Sequence, residues 1–201
     1  MRRFASIAIV GLAAAAAAAV FGASVRAAEE PPHTVLLSDG NFEILDYPSL
    51  TIAEVTVRAN RNDAAYAGFR KLAGFIFGGN AERQKIEMTA PVIEARASAA
   101  GGEAQDAWTI RFVMPQGFTL AKLPKPDDPT IRMRETSATR YAVLRYSGLA
   151  GDDTVEAKTR ELQSILKARG LEAAGAPLLA FYDPPWTPWF LRRNEIMIPI
   201  R

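Results

Sequence analysis

Short alternating runs of apolar and polar residues recur along the chain, and each helix-period stretch follows a pair of them. Phe42-Glu43-Ile44-Leu45-Asp46-Tyr47 predicts a strand. Pro48-Ser49 marks a turn, and Leu50 to Val57 alternates as a second strand. Asn60-Arg61-Asn62-Asp63 offers an N-cap for a helix to about Phe77, with Gly78-Gly79 as its stop. A further strand is expected from Lys85 to Ile93, bending or changing partner at Pro91, because proline brings no N–H to a ladder. Small residues over 98–103 form a loop; Trp108 to Met114 is the cleanest alternation in the chain. Pro124 to Pro129 reads as a loop by composition.

The pattern then restarts. Ile131 to Thr136 and Arg140 to Tyr146 predict strands, and Asp152 opens a helix to about Arg169, with Asp153 and Glu156 spaced as a capping box. Pro177 to Tyr182 and Glu195 to Ile200 predict the last strands. Ile52 and Tyr141 are 89 residues apart, and so are Asp63 and Asp152. One spacing thus aligns the second strand and the helix start of two strand–strand–helix–strand–strand halves. The expected class is α+β: two helices on an antiparallel sheet that curls into a barrel about a pseudo-twofold axis.

The two helices differ. The second has an apolar stripe at Val155, Leu162, Ile165 and Leu166 and a charged outer face. The first places Ala65, Phe69, Leu72 and Ile76 on a core face, yet Tyr66, Phe75 and Phe77 lie to either side. Ala67, Arg70, Lys71 and Gly74 complete its surface. Glycine within a helix costs about 1 kcal/mol against alanine, so Gly74 is expected where something approaches the backbone closely. One reading buries Phe75 and Phe77 as core; the other is a flat apolar groove beside two cations, suited to a planar amphiphile with acidic tails. Trp186-Thr187-Pro188-Trp189-Phe190 is either a second aromatic wall or a loop folded back on the sheet.

Arg2 and Arg3, the apolar run from Phe4 to Val20 and the small residues up to Ala28 predict an export signal over residues 1–27. Left uncleaved, that run is the one membrane contact the sequence offers. A periplasmic or otherwise exported location follows. Its loss removes three of the 24 basic residues and no acid, leaving 21 against 22 acidic. That balance argues against a nucleic-acid partner, which needs a basic patch. With no cysteine, disulfide-linked partners, thiolate ligands and a thiol nucleophile are excluded. The single histidine, His33, stands in a polar, proline-containing stretch of a flexible arm over 28–40. A Ser-His-Asp relay is thereby ruled out.

Several stretches together resemble the SOUL haem-binding family: Phe42-Glu43-Ile44 with Tyr47, Gly78-Gly79-Asn80, Lys85-Ile86-Glu87-Met88-Thr89-Ala90-Pro91-Val92, Tyr182-Asp183-Pro184-Pro185 and Arg193-Asn194-Glu195. The resemblance runs over about residues 41–200, so 41–201 is taken as the domain. It implies a distorted eight-stranded antiparallel barrel with two long helices. It also implies haem or another tetrapyrrole as a non-covalent ligand, in a groove beside the first helix and a late loop. The candidate ligand-binding residues are then Tyr66, Ala67, Arg70, Lys71, Gly74, Phe75, Phe77 and Trp186. Some relatives have a histidine, proposed as iron ligand, where this chain has Asp46; a carboxylate is a poor replacement, and binding without an axial side chain is expected. Some relatives also carry lysine where Phe75 and Thr187 stand, which leaves Arg70 and Lys71 to meet the acid groups, with Arg192 or Arg193 from the far wall. The alternatives are a carrier or sensor of another flat amphiphile, a hydrolase built on Glu43, Glu54, Glu87 or Glu195, and an adaptor using Trp186, Trp189 and Phe190.

Overall fold

The computed structural model describes residues 28–97 and 106–201. The expected export segment and the loop at 98–103 lie outside the described residues. The elements are β1 (Thr34–Asp39), β2 (Phe42–Tyr47), β3 (Thr51–Arg58), α1 (Arg61–Ile76), β4 (Val92–Arg96), β5 (Ala107–Val113), β6 (Arg132–Glu135), β7 (Thr139–Tyr146), α2 (Asp152–Ala168), β8 (Leu178–Phe181) and β9 (Asn194–Pro199). One antiparallel sheet runs β1-β2-β7-β9-β8-β4-β5-β3-β6.

That order carries the internal symmetry. Inward from β2 it reads β2-β7-β9-β8, and inward from β6 it reads β6-β3-β5-β4. The first strand of each half therefore lies beside the second strand of the other, and the pseudo-twofold axis passes between β8 and β4. The α+β class, the curl and the two halves stand as expected; the described strands number nine, not eight. The extra strand, β1, forms within the stretch expected to be an arm. It pairs with β2 through a two-residue Gly40-Asn41 loop, with Gly40 at φ +63°, a conformation glycine adopts without strain. Its register shifts between Val35 and Leu37, and such an irregularity discourages pairing at an exposed edge.

The helix starts, Arg61 and Asp152, are 91 residues apart, whereas the strands before them begin 88 apart at Thr51 and Thr139. The common spacing of 89 averaged these two, because the β7–α2 link is longer than the β3–α1 link. Asn60 caps α1 by accepting the Asp63 amide (3.0 Å). α2 begins after Gly151 without a side-chain cap, so the Asp153–Glu156 box does not form. Asp152, in its first turn, is drawn instead to the Arg61 guanidinium (2.6 Å).

Both helices pack on one face of the sheet, α1 over β3 and β5, α2 over β7 and β9. Trp108 touches both apolar clusters. Leu72, Phe75 and Ile76 of α1 are fully buried, each worth roughly 1.5–3 kcal/mol of transfer free energy. The close approach occurs at Gly68, not Gly74: a Cβ at 68 would lie 2.4 Å from Ile110 Cγ1, while one at 74 would meet nothing within 4 Å. α1 is therefore rotated from the expected orientation, with Ala64, Gly68 and Leu72 inward and Phe69 left 40 % exposed, its ring edge-on to Phe112.

Among the described residues the opposite face carries no helix, yet Leu45, Val143, Ala180 and Met197 on it are buried. The sheet covers them by curling on itself. The β2–β3 and β6–β7 links fasten the curl: Ser49 Oγ donates to the Thr136 carbonyl (2.7 Å), and the Leu50 amide donates to Thr136 Oγ1 (3.0 Å).

Candidate functional site

The signature motifs position the C-terminal end of α1. Asn80 is wholly buried; its side-chain NH₂ donates to the carbonyls of Phe75 (3.0 Å) and Gln84 (2.8 Å), and its side-chain oxygen accepts the Gln84 amide (3.0 Å). Gly78 has φ +106°, and a Cβ on Gly79 would sit 2.6 Å from the Gly74 carbonyl. Only glycines fit that stop. The segment expected as a strand from Lys85 is irregular up to Pro91; β4 starts at Val92, once backbone amides can join a ladder again. Within it, Thr89 Oγ1 donates to the Val113 carbonyl and the Ala90 amide to the Glu29 carbonyl (2.9 Å).

The predicted site residues divide. Phe75 is core, 1 % exposed, and is withdrawn from the groove: it faces the sheet one turn before the stop that Asn80 enforces. Tyr66 (67 %) and Phe77 (64 %) are open, and Gly74 is exposed as well. Ala67 is half-buried. The Arg70 guanidinium rests 5.7 Å from the Tyr66 ring centre and, among the described residues, has no carboxylate partner. Lys71 is engaged, donating to Asp128 (2.9 Å) and Thr130 (2.9 Å). α1 thus presents an outward aromatic strip with a bare backbone patch and one uncommitted cation. Trp186 is 81 % exposed on the β8–β9 connection, whose base Arg192 props by donating to the Thr187 carbonyl (2.8 Å).

Among the described residues, neither Asp46 nor His33 stands beside this strip. Asp46 lies on β2, with β7, β9, β8 and β4 between it and β5, and it is held bidentate by Arg140 (2.7 and 2.9 Å). The Arg140 hydrogen bonds keep its carboxyl below the usual range. His33 stacks 5.1 Å from Tyr47, on the helix-free side. Among the described residues no three His, Cys, Asp or Glu side chains converge as a metal site.

Sequence reasoning missed the helix-free face. Tyr47, Ile52, Ile93, Tyr141, Leu178 and Met197 line a hollow of about 50 Å³, with Arg111 at its side. A wider hollow of about 430 Å³ adjoins it, and Pro31, Leu50 and Val113 line both. Cross-strand pairs flank this face: Glu54 opposite Arg111 on β3 and β5, Arg145 opposite Glu195 on β7 and β9, with the signs exchanged between halves. Burial pushes Glu54 up, but bonds from Arg134 and Arg111 outweigh it and hold the carboxyl low. Glu195, 0 % exposed, accepts from Tyr182 Oη (2.8 Å), Arg193 (2.8 Å) and Arg145 (3.2 Å). Burial and the Glu195 charge raise the Tyr182 phenol far above its ordinary value. Both carboxylates are committed to guanidinium or phenol donors; Glu87 is exposed and off any strand. The signal for this face was the alternation itself: Glu43, Glu54 and Glu195 stand at non-helix positions of their strands.

Among solved structures, the fold is similar to the EcmrR C-terminal domain (TM-score 0.56, 12 % identity, 80 % of this chain and 96 % of that one). It is also similar to a hydrolase from Listeria innocua (TM-score 0.56, 11 % identity, 83 % and 94 %). At such identities the likeness is one of fold. In sequence the chain is similar to Heme-binding protein 2 of Homo sapiens, 25 % identical over 153 residues (74 % of each), and to that of Mus musculus, 23 % over 154 residues (74 % and 75 %). The SOUL heme-binding protein model matches residues 28–199, including every motif that builds the α1 stop and the β8–β9 connection, and the chain belongs to that family.

Proposed function

We propose that this chain is an exported binding protein for haem or another tetrapyrrole, held non-covalently on the outward strip of α1 with no histidine on the iron. The observation that carries this reading is Gly74: it is open to solvent and its Cβ direction is empty, with exposed Tyr66 eight residues before it and exposed Phe77 three after. A flat ring needs such a bare patch and aromatic edges, and the residues present fit one. Arg70 is free to meet an acid group of the ligand, whereas Lys71 gives up its bond to Asp128 to do so. Trp186, exposed on the β8–β9 connection, supplies further aromatic surface for the ligand. The bound group supplies the iron and the macrocycle; the chain supplies seating, charge and partial exclusion of water. Titrating the purified protein with haemin tests this: a saturable Soret shift without the signature of imidazole ligation is expected, and a featureless, non-saturating response overturns it.

A further inference from the structure

The open mouth of the helix-free hollow is covered by the chain's own N-terminal segment, residues 29–33, which the α1 strip leaves unexplained. Four contacts hold it. The Glu29 carbonyl accepts the Ala90 amide (2.9 Å), and Glu29 Oε1 accepts the Gln116 amide (2.7 Å). Both oxygens of Glu30 accept from Arg193 Nη1 (2.9 and 3.0 Å). Pro31 is buried, forming the partition between the two hollows, and the His33 Nδ1–H donates back to its carbonyl (3.1 Å). Glu30 and Pro31 together present a carboxylate to a guanidinium and an apolar body to an apolar wall.

We infer that this segment is a built-in stand-in for a ligand: the helix-free hollow is a second binding site, for an amphiphile with an apolar body and one carboxylate, which enters by displacing residues 29–33. Charge supports the choice of ligand. Without Glu30, Arg193 and Arg145 face Glu43 and Glu195 in balance, and the outer N–H of Arg193 loses its acceptor. Nearby, Arg111 and Arg134 share the single carboxylate of Glu54, a net positive charge beside the apolar lining. The phenol of Tyr47 is held neutral by burial first and by the Glu195 charge second, so it adds no competing anion. Size agrees as well. The inner hollow alone takes little more than a water, and Pro31 forms part of its wall, so withdrawing the segment enlarges it toward the neighbouring space that residues 29–32 now wall. The inference stands apart from the α1 strip.

The probe is 11-(dansylamino)undecanoic acid, with its methyl ester as the uncharged control. The Glu30→Gln/Pro31→Gly double variant is expected to bind the acid at least about tenfold more tightly than the unaltered protein, since the competent open state is no longer a minor one. The ester should gain less, because only the acid takes over the Arg193 guanidinium that Glu30 releases. In the unaltered protein, saturating acid should speed hydrogen exchange at the Ala90 and Gln116 amides, which the segment protects. Gly74→Leu should leave acid binding unchanged, so failure here and failure of the α1 reading are distinguishable. Equal acid affinity in both proteins, an equal gain for the ester, or unchanged exchange at both amides would overturn the inference.

Discussion

Arg193 joins the two ends of the chain: its guanidinium donates to Glu30, 163 residues away, and to Glu195, two residues on, while lying 3.7 Å from the Tyr182 ring centre. Glu195 is the hub beneath it. Removing that carboxylate leaves two guanidiniums and a buried phenol without their common acceptor. Glu195→Ala should therefore cost about 3–5 kcal/mol of stability, read as a lower urea midpoint at unchanged slope. A change under about 1 kcal/mol would mean the cluster behaves like a solvated surface pair.

Two glycines of one helix should respond in opposite directions. Gly74→Ala adds a methyl where nothing lies within 4 Å and gains helix propensity, so stability should rise by about 1 kcal/mol. Gly68→Ala drives its Cβ against Ile110 and Val55 and should lower stability by about 1–3 kcal/mol, the usual cost of overpacking. Thermal melts of the two variants side by side check the pair.

Asp128 anchors the loop that follows Pro124 to α1. Bonds from Thr130 first, then Lys71, lower its pKa from 3.8 to about 2. A carboxyl lowered on folding adds stability that is complete above its unfolded pKa and lost as pH falls through the folded one. The contribution therefore fades between pH 3.8 and about 2. Asp128→Asn should flatten the acid limb of stability against pH in that window. An acid limb identical to that of the unaltered protein would contradict the assignment.

Introducing histidine at the place where relatives carry it should not produce a haem ligand at the α1 strip. Asp46 is on β2, bound to Arg140, with four strands separating it from β5 beneath α1. Asp46→His should leave the absorption spectrum of the haemin complex unchanged while costing the Arg140 ion pair. A shift to a histidine-ligated spectrum would move the binding site toward β2.

Much of this fold was readable because its strands alternate cleanly. β2, β5, β7 and α2 fall within a residue or two of their expected limits, since each pairs a periodic apolar face with a strong stop such as Gly170 at φ +67°. β1 was not, because Val35-Leu36-Leu37 does not alternate and its pairing depends on a bulge; the Gly40-Asn41 loop was the usable signal. At the site, Phe75 and Phe77 were offered either as core or as groove, and they part: Phe77 is exposed and Phe75 is core. The rotation of α1 is set by a tertiary contact, Gly68 on Ile110, that helix periodicity cannot register. The covered hollow was hidden for a related reason. Its lid is a proline-rich segment with no pattern of its own, joined to Arg193 by an ion pair across nearly the whole sequence.

In the proposed complex the tetrapyrrole lies against the bare backbone at Gly74. Haemin affinity of Gly74→Leu, measured by Soret titration beside the unaltered protein, addresses it most directly, because the added side chain points into open space and spares the fold. Stability should equal or exceed that of the unaltered protein, and affinity should weaken by about tenfold or more, as when a ring is lifted from its seat at a cost of about 1.4 kcal/mol or more. A folded Gly74→Leu protein that binds haemin as tightly as before would contradict it.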